Sequence, residues 1–142
     1  MPTHKPLYTT PQDAEAAFYD ALERADLEAM MSVWAEDEEI VCVLPGGPRL
    51  AGYAAVREGW RRVFASGRRL SVALTQQIYL QSMLLSVHSL QEHLSLSSGE
   101  GETSPVVVTN VYVRGALGWR LLAHHASPAP PDMPGDATKT LH

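Results

Sequence analysis

The amino-acid sequence predicts an α+β fold: three N-terminal helices packed on one face of a strongly curved antiparallel sheet. Two observations carry this. Up to Ser66 the apolar residues recur mostly at three- and four-residue spacing, and after Gly67 the period falls towards two. Short turn signals also separate the β-rich runs of the second half, as a meander of consecutive strands requires. Helices on one side of a bent sheet leave a cavity at the open end and an outer face for solvent or a second subunit.

Thr10-Pro11-Gln12-Asp13 is a helix start, with Thr10 as cap, Pro11 at the first helical position and Asp13 in the first turn. Ala14, Ala17, Phe18, Ala21 and Leu22 then form one apolar stripe. Asp26 caps a second, shorter helix carrying Leu27, Met30, Met31 and Trp34. Residues 39–44 are rich in β-branched side chains and stop at Pro45-Gly46-Gly47-Pro48, which makes them a strand entering a turn. Helical spacing returns from Gly52 to Ser66, with Tyr53, Val56, Trp60, Val63 and Phe64 on one side and arginines on the other. Gly67 ends that helix. Four strands follow near 69–80, 83–96, 105–114 and 118–126. Residues 1–10 are expected as a flexible arm, 11–127 as the domain, and 128–142, with four prolines, as a disordered tail.

A chain of 142 residues suits one domain. Such a domain buries roughly 68% of its unfolded surface without help from metals or disulfides. Hydrophobic residues at 45% against 19% charged mark a globular chain. The net charge of −5 gives no footprint for nucleic acid or an anionic membrane. Arg57, Arg61, Arg62, Arg68 and Arg69 do cluster, but Glu36, Asp37, Glu38, Glu39 and Glu58 offset them, as on a solvated helix face. The lone Cys42 excludes an intramolecular disulfide and fits a reducing compartment. With no apolar leader and no run long enough to span a bilayer, the expected location is the cytoplasm. Neither a cofactor nor a metal site is expected, since the histidines lack ligand spacing and Cys42 stands alone.

Specific residues then join this order of elements. Met30-Met31-Ser32-Val33-Trp34 precedes an acidic turn, followed by Val41-Cys42-Val43-Leu44-Pro45-Gly46-Gly47. Leu50-Ala51-Gly52 opens the third helix, which holds Trp60 and Phe64. Thr109-Asn110-Val111-Tyr112 lies on the penultimate strand, and Gly118-Trp119-Arg120 leads to His124-His125-Ala126-Ser127 on the last. In these residues the chain resembles the SnoaL-like members of the nuclear transport factor 2-like superfamily. The resemblance implies a cone-shaped α+β barrel, usually a homodimer, with a mostly apolar pocket between helices and sheet. It implies no single activity, because isomerases, cyclases, dehydratases, epoxide hydrolases, transport factors and oligomerisation domains share the scaffold. Relatives often carry a histidine before the Pro-Gly-Gly turn, where this chain has Leu44. The ketosteroid isomerase pattern is unmatched too: its tyrosine falls on Phe18, its base on Cys42 or Val43, and its second acid on Thr109 or Asn110.

Candidate residues come from the strands and the apolar stripes. Alternation puts Leu84, His88, Leu90, Glu92, Leu94 and Leu96 on one face, with His88 and Glu92 about 13 Å apart. If that face lines the cavity, His88 is a general base and Glu92 an acid or orienting group. If it meets a second subunit, both pair across the dyad instead. Asn110 and Tyr112 share a face with Val106 and Val108. The superfamily's kinase association domains place a pocket arginine at a position like Asn110. Adjacent His124 and His125 point to opposite faces, so they serve no common metal or substrate. Strict alternation groups His125 with Trp119, Leu121 and Ala123, and His124 with Arg120, Leu122 and Ala126.

The expectation is a homodimer, joined through the outer sheet face, that binds a small apolar molecule. Phe18, Tyr19, Trp34, Trp60, Phe64, Asn110, Tyr112 and His125 are its expected contacts. Two alternatives stand beside it. One is an enzyme of isomerase, cyclase or dehydratase type using His88 and Glu92; the other is an oligomerisation module with a vestigial pocket.

Overall fold

A computed structural model describes residues 6–36, 39–96 and 105–130. Helix α1 spans Pro11–Arg24. The Thr10 hydroxyl accepts from the Asp13 N–H at 3.0 Å, and Ala25 closes the helix in the left-handed region at φ 54°. Helix α2 is Leu27–Val33, capped by Asp26, whose carboxylate accepts from the Ala29 N–H at 3.0 Å. Two short strands come next, β1 (Val41–Val43) and β2 (Arg49–Ala51), and then helix α3 (Tyr53–Ala65). Gly52 enters α3 at φ 93°, a conformation that side chains rarely adopt. The long strands are β3 (Leu70–Gln81), β4 (Leu85–Leu96), β5 (Val106–Gly115) and β6 (Gly118–Pro128).

The fold is α+β, with three helices and one six-stranded sheet ordered β2-β1-β6-β5-β4-β3. Three expectations need correction. The helices do not all precede the sheet: Leu50 and Ala51, read above with Gly52 as the opening of the third helix, belong to β2, which pairs with β1 before that helix begins. Nor is the sheet wholly antiparallel, because β1 runs parallel to β6 and thereby joins the two halves of the chain. The sheet also stays open, with β2 and β3 at its edges, and is not strongly curled.

Two β-bulges decide which side chains face the helices. On β3 the pairing steps from Thr75↔Gln91 to Ile78↔Ser89, leaving Gln76 and Gln77 opposite one residue. Gln76 takes φ 55° there. The extra residue turns Tyr79, not Ile78 or Leu80, onto the inner face beside its partner His88. On β6 the pairing steps from Val111↔Ala123 to Tyr112↔Leu121, so Leu122 is the extra residue. His124 therefore lies on the inner face with Leu121 and Ala126.

Ala14, Phe18, Met30, Val33, Trp34, Ile40, Val56, Val108 and Leu121 are all fully buried between helices and sheet. The chain before α1 is not a free arm over its described part. Tyr8 bridges to Gly118, its carbonyl accepts from the Trp119 N–H at 2.9 Å, and the Arg120 guanidinium lies 5.0 Å above its ring. At the other end β6 runs one residue past the expected domain boundary, and Ala129 is buried with its N–H on the Pro105 carbonyl. Residues 1–5 of the expected arm and 131–142 of the expected tail lie outside the described residues.

Candidate functional site

The inner face of β4 and β5 packs on α1, and polar side chains cluster there in a surround that is otherwise apolar. They form two hydrogen-bonded chains. In the first, the Tyr19 hydroxyl donates to Glu92 Oε2 at 2.6 Å and accepts from Asn110 Nδ2 at 3.1 Å. Asn110 Oδ1 in turn accepts from His124 Nδ1 at 2.6 Å. Since an amide oxygen only accepts, this imidazole carries its proton on Nδ1. In the second chain, His88 Nδ1 donates to Glu15 Oε2 at 3.0 Å, and its Nε2 lies 2.9 Å from Ser86 Oγ. Tyr112 and Tyr79 direct their hydroxyls at the same Glu15 carboxylate, each at 3.5 Å.

Burial sets the electrostatics of the first chain. The Glu92 carboxyl is pushed up to about 7 by loss of water, partly countered by the Tyr19 hydrogen bond and reinforced by the negative charge of Glu15. Tyr19 is raised well above 10 by the same burial and by the Glu92 charge. His124 is pushed down to about 3, again chiefly by burial, with a smaller push from His125, so it stays neutral at physiological pH. Glu92 thus holds or releases a proton near neutrality at the end of a chain whose other members keep their charge state. Cys42, by contrast, is inert: burial pushes its thiol up to about 12.

An aromatic row leads from this chain towards α3. The Phe18 ring meets Tyr19 edge-on at 4.7 Å and Trp60 at 5.7 Å, and Trp60 lies 5.7 Å from Phe64. His124 touches the row at 4.9 Å from Phe18. Phe64 is half-buried at the α3 end. Past the end of α3 lies a cavity of about 560 Å³ lined by Val63, Ser66, Arg68, Leu70 and Leu94, and not by Phe64, Trp60, Tyr19 or Glu92. Leu94 follows Glu92 by two residues on the inner face of β4.

The structure brings Phe18, Tyr19, Trp60, Phe64, Asn110 and Glu92 of the expected site together, and distributes the others elsewhere. His88 and Glu92 do share the inner face, but they belong to different chains, His88 with Glu15 and Ser86, Glu92 with Tyr19. Tyr112 goes with His88, its ring 4.7 Å away. Trp34 is fully buried where it bridges to Leu121, outside the aromatic row. His125 is a correction: it is exposed on the outer face, because the bulge at Leu122 exchanges its orientation with that of His124. Glu15 and Ser86 were not singled out from the sequence, and His124 was considered there but not counted among the expected contacts. Glu15 carries a signal, for it stands in the stripe Pro11, Glu15, Phe18, Leu22 where a carboxylate needs a buried partner. No cluster of three or more His, Cys, Asp or Glu side chains able to hold a metal occurs among the described residues.

A family model described as a SnoaL-like domain matches residues 12–131. The chain belongs to that family. Its SnoaL-like fold is shared with a protein from Thiobacillus denitrificans, provisionally described as a calcium/calmodulin-dependent protein kinase type II association domain. The two are 36% identical with a TM-score of 0.77, and the match covers 88% of this chain and 99% of the other. A protein from Streptomyces avermitilis, provisionally described as a dehydratase of the nuclear transport factor 2-like family, is 30% identical with a TM-score of 0.75, over 85% of this chain and 99% of that one. A nuclear transport factor 2-like protein of unknown function from Pseudomonas putida shares the fold at 17% identity and a TM-score of 0.73, over 87% of this chain and 86% of that one. No curated protein matches the chain. No helix among the described residues is long and apolar enough to cross a membrane.

Proposed function

We propose that this SnoaL-like protein binds a small, largely apolar molecule whose one polar group docks on the Tyr19–Glu92 pair. The observation that carries the reading is Glu92, a carboxyl group held near 7 by burial and hydrogen-bonded to a tyrosine at the inner end of an aromatic row. A carbonyl or hydroxyl on the ligand matches such a pair, which both donates and accepts. A cavity of about 560 Å³ lined in part by Val63, the sequence neighbour of Phe64, and by Leu94, the next inner-face residue after Glu92, supports the reading by its size and its place on β4. Residual exposure agrees in placement: Tyr19 keeps 7% and Glu92 4%, whereas Asn110 and His88 keep none.

A second reading, proton transfer, draws on the same carboxyl, since an acid that titrates near 7 is suited to general acid–base work. In that reading Glu92 carries the proton and Tyr19 orients the substrate oxygen. The relative provisionally described as a dehydratase is in keeping with it. Intrinsic fluorescence separates occupancy from its absence, because Trp60 lies in the row. Titration with 1-naphthol and with cyclohexenone is expected to change Trp60 emission saturably, and the change is expected to weaken in Tyr19→Phe. No saturable change with either compound would remove the reading.

The proposal includes a homodimer across the outer sheet face. Ile78 at 58%, Leu80 at 63%, Leu85 at 42% and Val107 at 37% exposure give that face an apolar patch, with exposed His125 beside it. The similarity to a kinase association domain points the same way. Sedimentation is expected to show a dimer, and Leu80→Asp a monomer; a wild-type monomer at micromolar concentration contradicts it.

A further inference from the structure

The second polar chain has the connectivity of an activated nucleophile. Glu15 Oε2 accepts from His88 Nδ1 at 3.0 Å, which fixes the tautomer and leaves Nε2 as a lone pair 2.9 Å from Ser86 Oγ. Serine, base and orienting carboxylate thus stand in the order that acyl-transfer chemistry uses, assembled from α1 and β4 and not from neighbouring sequence. All three are buried, and the His88 ring is held between Tyr79 at 4.3 Å and Tyr112 at 4.7 Å.

A cavity of about 590 Å³ lies one residue row away, at the end of the sheet opposite Phe64, lined in part by Pro11, Gln81, Ser82, Arg114 and Trp119. Gln81 is the cross-strand partner of Ser86, so the two share the inner face. Pro11 is one helical turn before Glu15 on the same side of α1. Arg114 is two residues beyond Tyr112, the partner of Ser86 on β5. Tyr79 packs on the His88 ring from the edge strand, keeps 40% of its surface exposed, and was turned inward by the bulge at Gln76. Edge strands and bulges re-aim side chains at little cost to the rest of a sheet.

We propose that Ser86, His88 and Glu15 form a second site, distinct from the Tyr19–Glu92 pair, that takes a small ester from the Gln81–Arg114 cavity when Tyr79 swings aside. Ser86 Oγ attacks the ester carbonyl while its proton passes to His88 Nε2. The ester C–O bond breaks, and that proton leaves on the alcohol. Water then attacks the acyl-serine, gives its proton to Nε2, and the acid departs as the serine regains its hydrogen. Ester and water become acid and alcohol, with no other reactant.

The test uses the full chain and p-nitrophenyl acetate, with peptide mapping of the acetylated residue. Wild type is expected to release p-nitrophenolate with acetyl on Ser86, and Tyr79→Ala to do so faster. Ser86→Ala should lose the Ser86-dependent release, and Glu15→Gln should slow it by at least about tenfold. Unchanged circular dichroism establishes that each variant is folded; Ser86→Ala removes one oxygen and is the most conservative of them. Absence of a Ser86 adduct from both wild type and Tyr79→Ala overturns the proposal. Acetylation confined to Ser82 or to surface amines overturns it as well.

Discussion

Glu92→Gln is the perturbation whose size follows most directly from the structure. The carboxyl moves from its ordinary 4.5 to about 7 because it is buried against α1. At about 1.4 kcal/mol per pH unit, that displacement corresponds to about 3 kcal/mol. Its sign is fixed by proton counting. Below about pH 4.5 both folded and unfolded chains hold the proton, and the group costs nothing. Between about 4.5 and about 7 the unfolded chain releases it while the folded chain keeps it, so stability falls as pH rises. Above about 7 the loss is complete. Glutamine keeps an acceptor for the Tyr19 hydroxyl and does not titrate. Urea unfolding of both proteins across this range is therefore expected to give curves that diverge, with the variant gaining about 3 kcal/mol on wild type by the alkaline end. His124 pulls stability in the other sense at lower pH, but it is present in both proteins and cancels in the difference. Parallel curves would refute the burial argument for Glu92.

Three further outcomes follow from the geometry. The His124 imidazole is expected to stay neutral and protonated on Nδ1 down to about pH 3, read from its ¹⁵N shifts for as long as the chain stays folded; protonation near 6.5 would contradict its placement. Trp60→Ala is expected to cost about 3–5 kcal/mol, the usual loss for a buried aromatic, since only 2% of Trp60 is exposed and it meets Phe18, Phe64 and His124. Gly118→Ala is expected to cost about 1–3 kcal/mol, because Gly118 holds φ +89° and an added Cβ would lie 2.5 Å from the Tyr8 carbonyl; thermal melts check it, and an unchanged midpoint would mean that Tyr8 is not strapped to β6.

Periodicity made the long elements legible. The helix start at Thr10-Pro11, the cap at Asp26 and the four long strands all follow from local chemistry that the fold leaves in place. What local pattern could not supply was pairing between distant segments. Arg49–Ala51 becomes a strand only because Val41–Val43 is beside it, held in turn by β6. The site shows the same division. Asn110 and Glu92 lie on the faces that alternation gives them, and Tyr19 stands next to the stripe residue Phe18, yet the partnership between Tyr19 and Glu92 joins residues 73 apart in sequence. His124 and His125 show the limit of counting by twos. One extra residue at Leu122 reverses both, and neither its type nor its neighbours announce a bulge. Glu15 and Ser86 are a different case, since a carboxylate in an apolar stripe and a serine two residues before His88 were open to notice.

The measurement that tests the ligand site most directly is a chemical-shift titration of the folded protein with 1-naphthol. Saturable shifts are expected at Phe64, Trp60, Leu94 and Tyr19, with the Glu92 carboxyl carbon moving in the same titration and the affinity falling in Tyr19→Phe. Shifts confined to the outer face around Leu80 and Val107, or no saturation at all, would contradict a site built on Tyr19 and Glu92.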